Sequence, residues 1–165
     1  MAGALHVAPV DLDDPTQATA WLDLLDHYAR DPMGGGSGLS AYARDHLVGE
    51  LRGLAIFHGA LAWLDGRAVG LINCFAGFST FAARPLLNIH DIVAHADVRG
   101  RGVGRALLAW AEGRARQLGC CKLTLEVLAN NRPALRAYER AGFAPYVLDP
   151  AAGQALFLQK RLEEA

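Results

Sequence analysis

Apolar residues recur at helical spacing from Trp21 through Leu24, Leu25 and Tyr28, behind Asp14-Pro15. A capping acid followed by a first-turn proline predicts a helix that runs to about Arg30. Glycine-rich Met33–Leu39 reads as a flexible loop, and Ser40 can cap a second helix reaching about Leu51. Ala55–Leu64 and Arg67–Ala76 are apolar runs around Asp65-Gly66, which predicts two strands joined by a tight hairpin. Gly77–Pro85 reads as a connecting loop and Leu87–Ala94 as another strand. Past Arg99 the helical period returns, with Val103, Leu107, Ala111, Ala115 and Leu118 on one stripe. Glu112 and Arg116 form an i,i+4 pair outside that stripe, and Gly119 stands where a C-terminal cap belongs. Lys122–Leu128 is predicted as a strand and Arg132–Ala141 as a helix stopped by Gly142. Ala144–Leu148 and Leu156–Gln159 are predicted as short closing strands. Strand, helix, strand, helix, strand after a hairpin indicates an α/β or α+β fold: a mixed sheet with helices on its faces.

The chain has 165 residues, 52% hydrophobic and 20% charged, which suits one domain over residues 1–165 with a continuous core. This composition argues against disorder, collagen and coiled coil. No apolar stretch approaches the roughly 20 residues of a membrane helix, so no membrane partner is expected. The start of the chain lacks a basic segment, and acids begin at Asp11, which predicts no secretory signal. Cys74, Cys120 and Cys121 show neither CxxC nor metal-ligand spacing. Cys120 and Cys121 read as small buried apolar residues, and the set suits a reduced, cytoplasmic, metal-free protein. The net charge of −1 conceals an asymmetry. Residues 1–65 hold nine acids against three arginines, and residues 66–165 hold thirteen Lys/Arg against eight acids. Nucleic-acid binding is disfavoured, because the arginines concentrate at one helix start rather than over a basic face.

The sharpest chemical feature lies between a strand and that helix: Val98-Arg99-Gly100-Arg101-Gly102-Val103-Gly104-Arg105. Alternating glycines permit close backbone approach, and the free N–H groups of a helix start converge on a positive potential. Arg99, Arg101 and Arg105 add charge, so the segment reads as a phosphate or pyrophosphate cradle. A P-loop would need Gly-Lys-Ser/Thr where Gly104-Arg105-Ala106 stands. A dinucleotide fingerprint would need a third glycine where Arg105 or Leu107 stands, although Glu126 lies at the spacing of a ribose-binding acid.

Arg99-x-x-Gly102-x-Gly104 is followed by Asn131-x-x-Ala134-x-x-x-Tyr138-x-x-x-Gly142-Phe143. Together these resemble the GNAT superfamily of acyl-CoA-dependent N-acetyltransferases, over about residues 88–143. The resemblance implies a GNAT fold, a mixed twisted sheet whose central strands splay around Ala94 to admit acetyl-CoA. It also implies transfer of an acetyl group by direct attack of a primary amine on a small molecule or peptide. The strand His90–Ala94, through Ile92, Val93 and Ala94, would pair its backbone with the pantetheine arm. Arg99, Gly100, Arg101, Gly102, Val103, Gly104 and Arg105 would hold the pyrophosphate. Asn131 would hydrogen-bond the cofactor beside Ala134, and Tyr138 would sit at the thioester sulfur.

A phenol keeps its proton at neutral pH, so Tyr138 suits protonation of a departing thiolate. The plainer alternative is a core tyrosine on a stripe with Leu135 and Ala141. The attacking amine must lose a proton, and His90 and Asp91 are the candidate acceptors, with a water chain as the alternative. The family often carries an acid where His90 stands. Strict alternation would put His90 on the face of Asn88, Ile92 and Ala94, and Asp91 on the other. His58 and His95 read as ordinary edge histidines. The acidic first third and the loops Met33–Leu39 and Gly77–Pro85 would form the acceptor side and favour a cationic amine. A non-catalytic acyl-CoA sensor or partner-binding module on the same fold is the alternative. Oligomeric state stays open, a homodimer included.

Overall fold

Asp14 caps the first helix as its position suggests. Its carboxylate accepts from the backbone N–H groups of Thr16 and Gln17, and α1 spans Pro15–Arg30. Ser40 likewise accepts from the Ala43 N–H at the start of α2, Ala41–Leu51. These assignments come from a computed structural model that describes residues 4–162. The hairpin around Asp65-Gly66 joins β2 (Phe57–Leu64) to β3 (Arg67–Ser79), with both turn residues at positive φ. β3 continues two residues past Gly77, and β4 spans Arg84–Ala94. The expected loop at 77–85 is therefore mostly paired strand, with Gly77 opposite Leu86 and Phe78 opposite Pro85.

A strand absent from the sequence expectation, β1 (His6–Pro9), pairs antiparallel with β2. Four residues ending in proline give no periodic signal, and an edge strand tolerates that proline. The sheet order is β1-β2-β3-β4-β5, antiparallel through β4. β5, Leu123–Leu125, then runs parallel to β4. A parallel neighbour requires a crossover, supplied by α3, Val103–Gln117. Val103, Leu107, Leu108, Ala111 and Ala115 of α3 are buried against one face of the sheet. Trp21, Leu24 and Leu25 of α1 are buried against the other, with Leu61, Leu71 and Val93.

α4, Arg132–Arg140, follows β5, and the segment beyond it corrects the expectation. Ala144–Leu148 and Leu156–Gln159 form no strands; apart from a short 3-10 turn at Pro150–Ala152 this stretch is irregular and exposed. Strand propensity is a preference for a pleated, half-buried surface, and these residues have no paired neighbour to supply one.

Candidate active site

The parallel contact between β4 and β5 covers only Leu87–Ile89 against Leu123–Leu125, with the Asn88 amide donating to Thr124 at 2.8 Å. β4 then continues for five residues with β3 on one side and, among the described residues, no strand on the other. The divergence thus begins at His90, ahead of the expected Ala94. It leaves one backbone edge of Asp91, Ile92, Val93 and Ala94 without a strand partner among the described residues.

A register shift sits at the same point. Asn73 pairs with Asp91 and the next β3 residue, Cys74, pairs with Ile89, so His90 is an extra residue bulged out of the ladder. This bulge overturns the alternation argument for His90 and Asp91. The His90 ring meets the Phe75 ring edge-on at 4.8 Å, and Asp91 accepts from Asn73 at 3.0 Å. Phe75 and Asn73 are two apart on β3, so both β4 side chains lie on the α1 side. Ile92 and Ala94 pack toward α3 instead.

Around Asp91 the polar groups are connected. Asn73 is 2% exposed and Trp21 fully buried; the indole N–H donates to the Asn73 oxygen at 2.8 Å. Burial pushes the Asp91 carboxyl above the usual carboxylate range, against the opposing pull of the Asn73 amide and His90. Tyr28 of α1 is also raised, first by burial and then by the Asp91 charge. Burial, then the nearby Tyr28, pushes the Tyr138 phenol up to about 12. Tyr138 sits half-buried on α4 and packs against Phe143 with centroids 6.0 Å apart.

At the other end of β4 a 3-10 turn, Ala96–Val98, leads into the glycine loop. Gly100 and Gly102 hold φ of +80° and +84°, a region that costs other residues a steric penalty. Gly102 begins α3 without any side-chain cap, so the first-turn N–H groups point outward unsatisfied. A Cβ added at Gly104 would meet nothing within 4 Å, so the space over that turn is open. Arg101 and Arg105 are exposed beside it, and the Val103 side chain is buried beneath it. An uncapped helix start with open space and two exposed arginines fits the pyrophosphate of acetyl-CoA. Arg99 is a partial exception: its guanidinium is held by Asp31 of the α1 terminus at 2.9 Å. Its side chain anchors the loop to α1. Asn131 caps α4 by accepting from the Ala134 N–H at 3.3 Å, which leaves its amide NH2 to donate.

Other expectations are corrected or refined. Cys121 is exposed and Cys120 only partly covered, so of the three thiols only Cys74 is fully buried. His95 accepts from the Asp97 N–H, stacks on His27 at 4.4 Å, and takes no place in the cleft. Glu126 lies just past β5, exposed. Among the described residues no cluster of three His, Cys, Asp or Glu could hold a metal, and no helix is long and apolar enough to cross a membrane. Asn73 escaped the sequence reading, and Trp21 entered it only as an apolar position of the first helix. The available signal was Asn73 itself, the one amide in the apolar run Val69–Phe75.

Residues 19–143 match the Acetyltransferase (GNAT) family. Streptothricin acetyltransferase of Streptomyces lavendulae is 42% identical over 87 residues, 51% of this chain and 46% of that protein. Aminoalkylphosphonate N-acetyltransferase of Salmonella typhimurium is 36% identical over 86 residues, 52% of this chain and 56% of that protein. The matched segment therefore spans about half the length of these curated relatives. Among solved structures, aminoglycoside acetyltransferase meta-AAC0020 from an uncultured soil metagenomic sample, in complex with sisomicin, superposes with a TM-score of 0.76. It covers 96% of this chain and 97% of its own at 16% identity, which is a likeness of fold. The family match over residues 19–143 takes in well over half of the sequence, and the chain belongs to the GNAT acetyltransferase family.

Proposed function

We propose that the protein transfers an acetyl group from acetyl-CoA to a primary amine, on a small molecule or an exposed peptide, by direct attack. The observation that carries this reading is the edge of β4 that has no strand partner among the described residues, followed through a 3-10 turn and the glycine loop by an uncapped helix start. When bound, acetyl-CoA supplies an acyl group activated as a thioester. Backbone N–H groups from Gly100 to Arg105 and the Arg101 and Arg105 side chains would hold the pyrophosphate. The backbone of Ile92, Val93 and Ala94 would align the pantetheine, and Asn131 would donate from its amide. Tyr138 keeps its proton at neutral pH, which suits it to protonate the leaving sulfur.

Asp91 accepts the proton of the incoming amine. It is half-buried at the cleft, and its raised carboxyl is a stronger base than an exposed aspartate. His90, more exposed and packed on Phe75, borders the acceptor side. The free thiols suit a reducing cytoplasm. Tyr138→Phe tests the scheme. We expect kcat to fall about 100-fold with acetyl-CoA affinity unchanged. A variant with full turnover removes Tyr138 from the chemistry, and no acetylation across a broad amine panel favours the sensor reading.

A further inference from the structure

Three side chains from three elements form one hydrogen-bonded line into the cleft. Trp21 of α1 donates through its indole nitrogen to Asn73 Oδ1 at 2.8 Å, and Asn73 Nδ2 donates to Asp91 Oδ2 at 3.0 Å. We propose that Trp21 and Asn73 are positioning residues that fix Asp91 for amine deprotonation; this rests on Asp91 as the proton acceptor. The direction of the line follows from chemistry. Indole N–H is a donor only, so the amide of Asn73 must turn its oxygen to Trp21 and its NH2 to Asp91. A flipped amide would set two donors face to face at Trp21 and leave the buried Asn73 oxygen against the carboxylate.

Oδ2 of Asp91 is thereby committed. Among the described residues nothing donates to Oδ1, which is left for the ammonium group. The bulge at His90 is part of the same device, since it brings Asp91 onto the α1 face where Asn73 waits. The line explains a costly feature: a buried amide and a buried indole N–H in an otherwise apolar layer, each satisfied by the other. Tyr28 of α1 and His90 of β4 are the titratable groups facing Asp91, and Cys74 of β3, on the α3 side of the sheet, feels its charge. Tyr28 is raised, and burial pushes Cys74 up to about 12, so both stay neutral through the working range.

The test compares Trp21→Phe, Asn73→Leu and Asp91→Asn in the full chain. The first readout is the carbon-13 titration of the Asp91 carboxyl, recorded in a His90→Gln background to remove the histidine's own titration. Asn73 lowers the Asp91 pKa by donating to the charged form, so losing that bond moves the midpoint upward. We expect a rise of about half to one pH unit in Asn73→Leu and a smaller rise in Trp21→Phe. A purely structural role would lower Tm in both variants and leave the midpoint in place; an unmoved midpoint in folded protein overturns the proposal. The second readout is the acid limb of kcat/KM with the best acceptor among putrescine, benzylamine and glycinamide. It should shift upward with the carboxyl, with unchanged acetyl-CoA affinity. If Asp91→Asn turns over as fast as the parent, Asp91 is not the base and both readings fall. If Asp91→Asn is inactive while the limb stays put in Trp21→Phe and Asn73→Leu, only the positioning line falls. Should Asn73→Leu fail to fold, Trp21→Phe retains an aromatic ring at the site and decides the matter by the same titration.

Discussion

Asp26 shows how single residues tie this fold together. It is 8% exposed and accepts from the Leu39 N–H at 2.9 Å, the Arg30 Nε at 2.8 Å and an Arg44 nitrogen at 3.1 Å. The Leu39 N–H first, then Arg30, hold its carboxyl below the usual carboxylate range. A lowered acid stabilises the fold above the unfolded pKa, near 4, and loses that contribution as pH falls through the folded value. Asp26→Asn should therefore lower Tm by roughly 4–8 °C at pH 7. The gap to the parent should narrow as thermal scans move toward pH 3. A constant gap would mean that the charge is irrelevant there. The same kind of residue was hardest to foresee. Nothing in the one-dimensional pattern pairs Trp21 with Asn73, fifty-two positions apart, whereas Tyr138 and Asn131 stand in a recognisable local motif.

Elements with a periodic or turn signal of their own, the β2–β3 hairpin included, were legible, and features set by a partner alone were not. α3 carries its own stripe from Val103 to Ala115 and its own glycine punctuation, and it folds as that pattern indicates. The bulge at His90 arises from the register of β3 against β4, which alternation along one strand cannot reveal. β1 and the unpaired stretch after Phe143 failed for the same reason, because a strand is defined by its neighbour. α3 also shows how closely the cradle is seated. A Cβ on Gly70 would come within 2.7 Å of both Val103 Cγ1 and the Val93 carbonyl. Gly70→Ala should push the start of α3 off β3, costing about 1–3 kcal/mol in urea unfolding and weakening acetyl-CoA binding. Gly102→Ala, forced to hold φ near +84°, should cost roughly 1–2 kcal/mol by the same measurement. Unchanged stability in both would contradict the packing described for the loop.

Across the whole molecule, much of the acidic charge of the first part is neutralised by that part's own three arginines. Asp13, Asp23, Asp26 and Asp31 are paired with Arg52, Arg44, Arg30 and Arg99. The proposed preference for cationic acceptors would then rest chiefly on Asp91 and not on a general acidic field. At low salt a cationic amine should turn over several-fold faster than a neutral one of similar size. Added salt should narrow the gap only in part, because a half-buried charge is weakly screened. Equal turnover at low salt contradicts the preference. β4 opens from β5 at His90, and the glycine turn of α3 stands beyond the far end of the opened edge. Calorimetric titration with acetyl-CoA, run beside NAD, reads whether this edge and turn hold the cofactor. Micromolar binding of acetyl-CoA without NAD, weakened about tenfold by loss of both Arg101 and Arg105, is the predicted result. Binding of NAD with silence toward acetyl-CoA would contradict an acetyl-CoA site at the glycine turn and point to Glu126 as a ribose ligand.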